Sequence, residues 1–144
     1  MGPLTWVLLV EDDPDHRLLI REVVRRVAPG VRVEEASDTG AAVRFLTARR
    51  KAGEPLDDGA VILDLGLPGP SGFAVLEWLR DRGLGALPAF VLTSSGNEMD
   101  AEHAFHLGAR GYFQKPAAFG GYTEILERVF ELAAAAVADD GAAP

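Results

Sequence analysis

The sequence predicts an α/β protein in which helices cover both faces of a five-stranded parallel sheet. Two observations lead to this prediction: short apolar runs alternate with longer amphipathic stretches, and acidic or basic residues follow several of the runs directly. Such alternation is typical of βα units, whose right-handed crossovers place helices on both sides of a sheet. In this doubly wound arrangement the carboxyl ends of the strands meet at one edge.

Five strands and five helices are predicted from the runs and from the stretches between them. The strands are Trp6–Val10, Val31–Glu35, Ala60–Asp64, Ala89–Thr93 and Gly111–Phe113, and the helices are Pro14–Val27, Thr39–Ala52, Ser71–Arg82, Glu98–Leu107 and Tyr122–Ala138. The first, third and fourth strands contain the apolar runs Val7–Val10, Val61–Leu63 and Phe90–Leu92, which suit strands of a parallel sheet. The second strand alternates apolar with charged residues, which predicts a half-exposed edge.

The helices are supported by apolar spacing and by capping residues. Ile20, Val23 and Val24 give the first helix one apolar face, and Asp13 is a plausible N-cap before Pro14. In the second helix Ala42, Val43 and Leu46 can face the core, with Ser37 and Asp38 offering caps. The last helix carries a wide apolar stripe, and we expect it to stop at Asp139.

Composition restricts the classes of function. A chain of 144 residues with 48% hydrophobic residues is suited to one domain. Its net charge of −8 argues against binding to nucleic acid or anionic membranes, and the absence of cysteine excludes disulfides and thiolate metal sites. We therefore expect a cytoplasmic protein with a single domain over residues 1–138, a flexible tail over residues 139–144 and no output domain.

Three separated fragments carry the chemistry. Glu11-Asp12-Asp13, Asp64 and Lys115-Pro116 each follow a predicted strand or end it, so their side chains should converge at the carboxyl edge of the sheet. Several acids and one lysine at one place form a site for a hard divalent cation and a phosphoryl group.

Four sequence segments resemble the receiver domains of two-component response regulators. They are Val7–Asp13, Ile62–Pro68, Val91–Ser94 and Gly108–Pro116, and they stand in the order and spacing of that family. The resemblance covers about residues 4–138. It implies a flavodoxin-like receiver fold with the strand order 2-1-3-4-5.

The resemblance implies that Asp64 is the phosphoacceptor and that the cofactor is Mg²⁺. In this interpretation Asp12 and Asp64 bind the metal directly, Glu11 binds it through water, and the main-chain carbonyl of Gly66 is a further ligand. The competing interpretation of Asp64, a strand-end residue that caps a nearby turn, leaves the other three segments unexplained.

Three more residues take roles from the family pattern. Lys115 should pair with the phosphoryl oxygens, and the resemblance implies a cis peptide between Lys115 and Pro116. Thr93 resembles the switch hydroxyl that donates to the phosphoryl group, and Tyr112 resembles its aromatic partner. An ordinary surface lysine, a strand-end threonine and a static, half-buried tyrosine are the alternatives.

The predicted function is that of a single-domain response regulator, a signalling protein rather than an enzyme, that accepts a phosphoryl group from a sensor histidine kinase. The subfamily that it resembles is partnered with bacterial phytochrome kinases and commonly forms homodimers through the last strand and helix. Apolar contacts for such a dimer are available at Phe119, Tyr122, Phe130 and Val137.

Two other functions are alternatives to this one. A phosphohydrolase that uses an aspartyl phosphate often requires a second acid two residues after the nucleophile, where this chain has Gly66. A phosphorylation-independent dimeric adaptor with a receiver fold would need none of Asp12, Asp64, Thr93 and Lys115.

Overall fold

The computed structural model describes residues 4–142, with side chains through residue 136. The strands are β1 (Trp6–Val10), β2 (Arg32–Ala36), β3 (Gly59–Leu63), β4 (Ala89–Thr93) and β5 (Gly111–Gln114). The helices are α1 (Pro14–Val27), α2 (Thr39–Lys51), α3 (Gly72–Asp81), α4 (Glu98–His106) and α5 (Gly120–Ala142). All strand pairs are parallel, in the order β2-β1-β3-β4-β5. The predicted fold class and strand order are confirmed.

The core has two layers, one on each face of the sheet. Side chains of α1 and α5 pack against one face, with Val24 and Leu126 fully buried there. Side chains of α2, α3 and α4 pack against the other, where Leu46 and Leu76 are buried. The central strands β1, β3 and β4 are buried at every position, because helices cover both faces of the sheet.

The second strand lies one residue later than predicted. The amide of Val31 donates to the carbonyl of Ala28 and closes a turn, so pairing with β1 begins at Arg32. At the other end Ala36 is buried and joins the ladder opposite Val10. The edge position is confirmed, because β2 pairs only with β1 in the described sheet.

The last helix is longer than predicted at both ends. It begins at Gly120 and continues to Ala142, so the predicted stop at Asp139 is wrong. Extending an existing helix by one residue is far easier than starting one, and the alanine-rich run before this point favours helix strongly. Residues 143–144 of the predicted tail lie outside the described residues, as does the side chain of Val137.

The fold places the fragments singled out in the sequence at one edge of the sheet. Glu11 follows β1, Asp64 follows β3, Thr93 ends β4 and Lys115 follows β5. The register supports this placement, because the amide of Asp64 donates to the carbonyl of Val10 and that of Lys115 to the carbonyl of Thr93. No helix within residues 4–142 is both long and apolar enough to span a bilayer.

Candidate functional site

Asp64 lies at the centre of the site, and its carboxylate is held by three donors. Oδ1 accepts from the Thr93 hydroxyl at 2.7 Å and from the Gly66 amide at 3.0 Å, and Oδ2 accepts from Lys115 Nζ at 2.7 Å. The residue is only 6% exposed. Its side chain is therefore fixed in orientation before any reaction.

The pKa of the Asp64 carboxyl lies below its usual value. Burial acts to raise this pKa, but hydrogen bonds from Lys115, the Gly66 amide and Thr93, together with the positive charge of Lys115, outweigh the effect of burial. Asp64 is therefore an ionised carboxylate at neutral pH, which is the form that can act as a nucleophile.

Lys115 joins two buried carboxylates. Its Nζ donates to Asp64 and, at 2.8 Å, to Glu11 Oε1, whose side chain is 2% exposed. Burial acts to lower the pKa of Lys115, but the hydrogen bonds and negative charges of Asp64 and Glu11 raise it above its usual value. The lysine is therefore charged, and the alternative of an ordinary surface lysine does not fit this placement.

The peptide between Lys115 and Pro116 is trans, since the described chain contains no cis peptide bond. This corrects the expectation of a cis bond. With the trans bond Lys115 reaches Asp64 and Glu11 because its amide is anchored to the carbonyl of Thr93, at the end of the neighbouring strand.

Three carboxylates form a group that fits a divalent cation. Oxygen atoms of Glu11, Asp12 and Asp64 lie within 4.8 Å of one another, and Asp12 is exposed to solvent while the other two are buried. A set of carboxylate oxygens without nitrogen or sulfur suits a hard cation such as Mg²⁺. Gly66 lies beside these carboxylates, and its amide donates to Asp64 Oδ1. That the Gly66 carbonyl binds the metal stays a prediction.

Two of the neighbouring residues take structural roles. Asp13 is the N-cap of α1, as predicted, and its side chain accepts from the amide of Asp15 at 2.9 Å. Gly72 begins α3 against the loop after β3: a Cβ added there would lie 2.2 Å from the main-chain oxygen of Asp64. A larger residue at Gly72 would displace the backbone that carries Asp64.

His16 and Tyr122 belong to the site, although the sequence reasoning did not place them there. His16 Nδ1 lies 3.0 Å from Glu11 Oε1, and its Nε2 lies 2.6 Å from the Tyr122 hydroxyl. An ionised carboxylate can only accept, so Nδ1 carries the proton of this contact. Tyr122 is buried, which removes it from the predicted dimer contacts. One feature of the sequence points to His16: it lies in the first turn of α1, the helix that follows β1.

The predicted switch residues, Thr93 and Tyr112, both lie near the loop between β4 and α4, and no hydrogen bond joins them to each other. Thr93 is buried and donates to Asp64, whereas the Tyr112 hydroxyl donates to the main-chain oxygen of Ser95 at 2.8 Å. Ser95 lies in the loop that connects β4 to α4. Tyr112 is therefore attached to the segment that begins immediately after Thr93.

Comparison with known proteins places this architecture in a family. The family model for the response regulator receiver domain matches residues 7–129. The probable methanogenesis regulatory protein FilR2 of Methanothrix harundinacea is 33% identical over 126 residues, which cover 87% of this chain and 81% of that protein. The KDP operon transcriptional regulatory protein KdpE of Escherichia coli is 33% identical over 118 residues, 81% of this chain and 47% of KdpE. The chain thus spans about half the length of such transcriptional regulators.

Solved structures agree with the sequence matches. The phosphorylated cyanobacterial phytochrome response regulator RcpA has a TM-score of 0.76 and 28% identity, covering 89% of this chain and 92% of RcpA. The Mn²⁺-bound form of response regulator Rcp1 has a TM-score of 0.74 and 26% identity, covering 87% and 91%. A response regulator in red light signalling of R. palustris has a TM-score of 0.75 and 25% identity, covering 89% and 92%. This chain belongs to the response regulator receiver domain family of two-component signalling proteins.

Proposed function

We propose that this receiver accepts a phosphoryl group from a sensor histidine kinase onto Asp64. The observation that carries the proposal is the Asp64 carboxylate itself, ionised, oriented by Thr93 and the Gly66 amide, and paired with Lys115. Receiver-domain response regulators are signalling proteins, and a histidine kinase is the partner that the family implies.

The transfer is a displacement at phosphorus. An oxygen of the Asp64 carboxylate attacks the phosphoryl group of the kinase phosphohistidine, the new O–P bond forms as the N–P bond breaks, and the histidine nitrogen takes up a proton. Lys115 lies on one carboxylate oxygen and Thr93 on the other, so both are within reach of the incoming phosphoryl oxygens and can donate to them.

Glu11, Asp12 and Asp64 are the residues that would hold Mg²⁺, with the Gly66 carbonyl as a further ligand. The oxygen-only donor set and the Mn²⁺-bound form of the similar Rcp1 support a divalent cation. The bound cation would add positive charge next to the transferring phosphoryl group. The Lys115 ammonium pairs with two of these three carboxylates, those of Glu11 and Asp64.

Thr93 and Tyr112 form the proposed switch. A phosphoryl group on Asp64 offers new acceptors to the Thr93 hydroxyl, and a shift of Thr93 moves the loop whose Ser95 carbonyl accepts from Tyr112. Tyr112 would then change partners, and α4, which follows that loop, would present a different surface. The change requires only a difference of contacts between two states.

We further propose that the kinase is a bacterial phytochrome and that the protein acts as a single-domain regulator. Support comes from RcpA, a phytochrome response regulator, and from the red light regulator of R. palustris, which share the fold at 28% and 25% identity. The coverage of more than nine-tenths of both similar chains adds to this support.

Phosphorylation can be tested by intact mass spectrometry after incubation with acetyl phosphate and Mg²⁺. We expect the mass of one phosphoryl group to be added, and we expect none in Asp64→Asn or in excess EDTA. Asp81→Asn is the matched control, because Asp81 is an exposed aspartate on α3. It should be phosphorylated like the unchanged protein.

Absence of the added mass under all conditions, together with failure to bind beryllofluoride, would contradict the proposal and favour the phosphorylation-independent adaptor. Addition that persists in Asp64→Asn would move the phosphoacceptor to another residue. The phytochrome link is tested separately, by the rate of transfer from a purified phosphorylated phytochrome kinase against that from an unrelated histidine kinase.

A further inference from the structure

A groove between α2 and α3 lies apart from the phosphoacceptor site. It has a volume of about 410 Å³ and is lined by Val43, Thr47, Arg50, Lys51, Trp78 and Arg82. All of these residues except Val43 belong to the C-terminal halves of the two helices or to the α3 C-cap. Helices that follow parallel strands run back along the sheet, so the groove lies toward the end opposite Asp64.

The groove gathers three cations that lack acidic partners. Arg50, Lys51 and Arg82 are exposed, and none of them makes a salt bridge or a side-chain hydrogen bond to any residue that the structure describes. In a chain with a net charge of −8, three cations around one cavity, without an acidic partner among the residues that the structure describes, form a local positive region. Their mutual repulsion would be relieved by a bound anion.

The neighbouring Arg49 shows what a structural arginine looks like in the same segment. It is 9% exposed, pairs with Glu54 at 2.9 Å and stacks over the ring of Trp6 at 4.7 Å. Arg50 and Lys51 follow Arg49 directly in the sequence, but their side chains line the groove. Cations at the end of a helix complement its dipole, yet that effect does not account for their sharing a cavity with the end of a second helix.

Trp78 supplies a flat apolar surface in the same groove. Its side chain is half-buried, packed on one side against the core layer of α2 and α3, and the Arg82 guanidinium lies 5.7 Å from its ring centroid. An indole beside several cations is suited to a ligand that combines an aromatic ring with negative charge. The volume lies within the range of small-molecule pockets.

We propose that this groove binds a phosphate-bearing aromatic molecule of the nucleotide class. The ring packs against Trp78, and the phosphates lie among Arg50, Lys51 and Arg82, which donate charge-assisted hydrogen bonds to them. Such binding gives the receiver a second ligand site, on α2 and α3, apart from the site around Asp64.

Calorimetric titration with ADP, adenosine and pyrophosphate tests the proposal. EDTA is present, so that no divalent cation links a phosphate to the acids around Asp64. We expect ADP to bind at least about tenfold more tightly than either fragment, because only ADP engages both the ring surface and the cations. Pyrophosphate that binds as tightly as ADP would overturn the role of Trp78, and no ADP binding at millimolar concentration would overturn the site.

Variants locate the binding. Arg50→Gln and Arg82→Gln should each weaken ADP binding about tenfold through loss of a charge-assisted hydrogen bond. Arg26→Gln is the matched control, an exposed cation on α1 at the other face of the sheet, and should bind ADP as the unchanged protein does. If ADP binding weakens equally in all three variants, the effect comes from net charge rather than from the groove, and the proposal is overturned.

The two tryptophans provide an independent readout. Trp6 is buried and its indole N–H donates to Asp58 at 2.9 Å, so ADP should leave its indole NMR signal in place. The Trp78 signal, assigned with Trp78→Phe, should shift on titration. A shift of neither signal, or of the Trp6 signal alone, would contradict binding in the groove.

Discussion

At the scale of single residues, Lys115 decides how two buried carboxylates coexist. Glu11 and Asp64 are each less than a tenth exposed, and the Lys115 ammonium bridges them. Folding lowers the pKa of Asp64, so its ionised carboxylate stabilises the folded state at pH values above 3.8, the usual pKa of the group. This contribution is lost as the pH falls through the lower pKa of the folded state. Folding raises the pKa of Lys115, so its ammonium stabilises the folded state at pH values below 10.5, the usual pKa of the group. This contribution is lost as the pH rises through the pKa of the folded state. The bridge is therefore intact across the neutral range.

Replacing Lys115 by Met should make the folded state more stable as the pH falls from neutral. The buried carboxylates of Glu11 and Asp64 would face each other without a cation, at a cost of about 3 kcal/mol in the free energy of unfolding near neutral pH. Their pKa values would rise in the folded state, so the native state would bind more protons than the unfolded one. Stability should then increase as the pH is lowered from 7.5 toward 5.5. Urea unfolding at the two pH values measures this.

Arg26→Met serves as the control for that experiment, since Arg26 is an exposed cation on α1. It should change the free energy of unfolding by less than about 0.5 kcal/mol at either pH. A Lys115→Met protein that is as stable as the unchanged protein at pH 7.5 would show that Lys115 does not neutralise the acids in solution.

Residues that follow strands could be predicted to meet, whereas residues that reach the site from helices could not. Parallel strands fix the edge at which Asp64, Thr93 and Lys115 converge, whatever the details of packing. His16 and Tyr122 reach the site because α1 and α5 pack side by side on one face of the sheet. That proximity depends on the tertiary arrangement of two helices far apart in sequence, which local spacing does not encode.

At the scale of elements, the starts of α1, α2 and α4 agree with the sequence prediction to the residue, whereas α5 begins two residues earlier than predicted. Asp13 and Asp38 were both expected to cap helices, and both accept from main-chain amides of the turns that they precede. The N-cap of α3, Ser71, makes no side-chain hydrogen bond to the helix. The start of β2 was less predictable because a turn hydrogen bond to Ala28 competes with strand pairing.

These caps should differ in their contribution to stability. Asp38 Oδ1 accepts from the Ala41 amide at 2.7 Å, so Asp38→Ala should lower the free energy of unfolding by about 1 kcal/mol. Ser71→Ala removes no such bond and should lower it by less than about 0.5 kcal/mol. Chemical denaturation of the two variants side by side gives the comparison, and equal losses would mean that the cap of α2 is not formed in solution.

At the scale of the whole molecule, exposed apolar side chains collect near the β5 edge. The sheet ends at β5, whose outer main-chain groups have no strand partner among residues 4–142. Met99 and Phe105 on α4 and Phe119 before α5 are at least half exposed. Exposed strands and large apolar side chains of this kind are typical of surfaces that another molecule covers.

We predict that a second copy of this chain covers that edge, through the last strand and helix. Light scattering of the unchanged protein at micromolar concentration should give the mass of a dimer. Phe119→Ser should shift the equilibrium toward the monomer, because Phe119 is half exposed and its ring would lose the burial that the dimer provides. Leu18→Ser on α1 is the matched control: Leu18 is 61% exposed at a different face, and this variant should stay dimeric. A monomeric unchanged protein would contradict the prediction, and a monomeric Leu18→Ser would relocate the interface to α1.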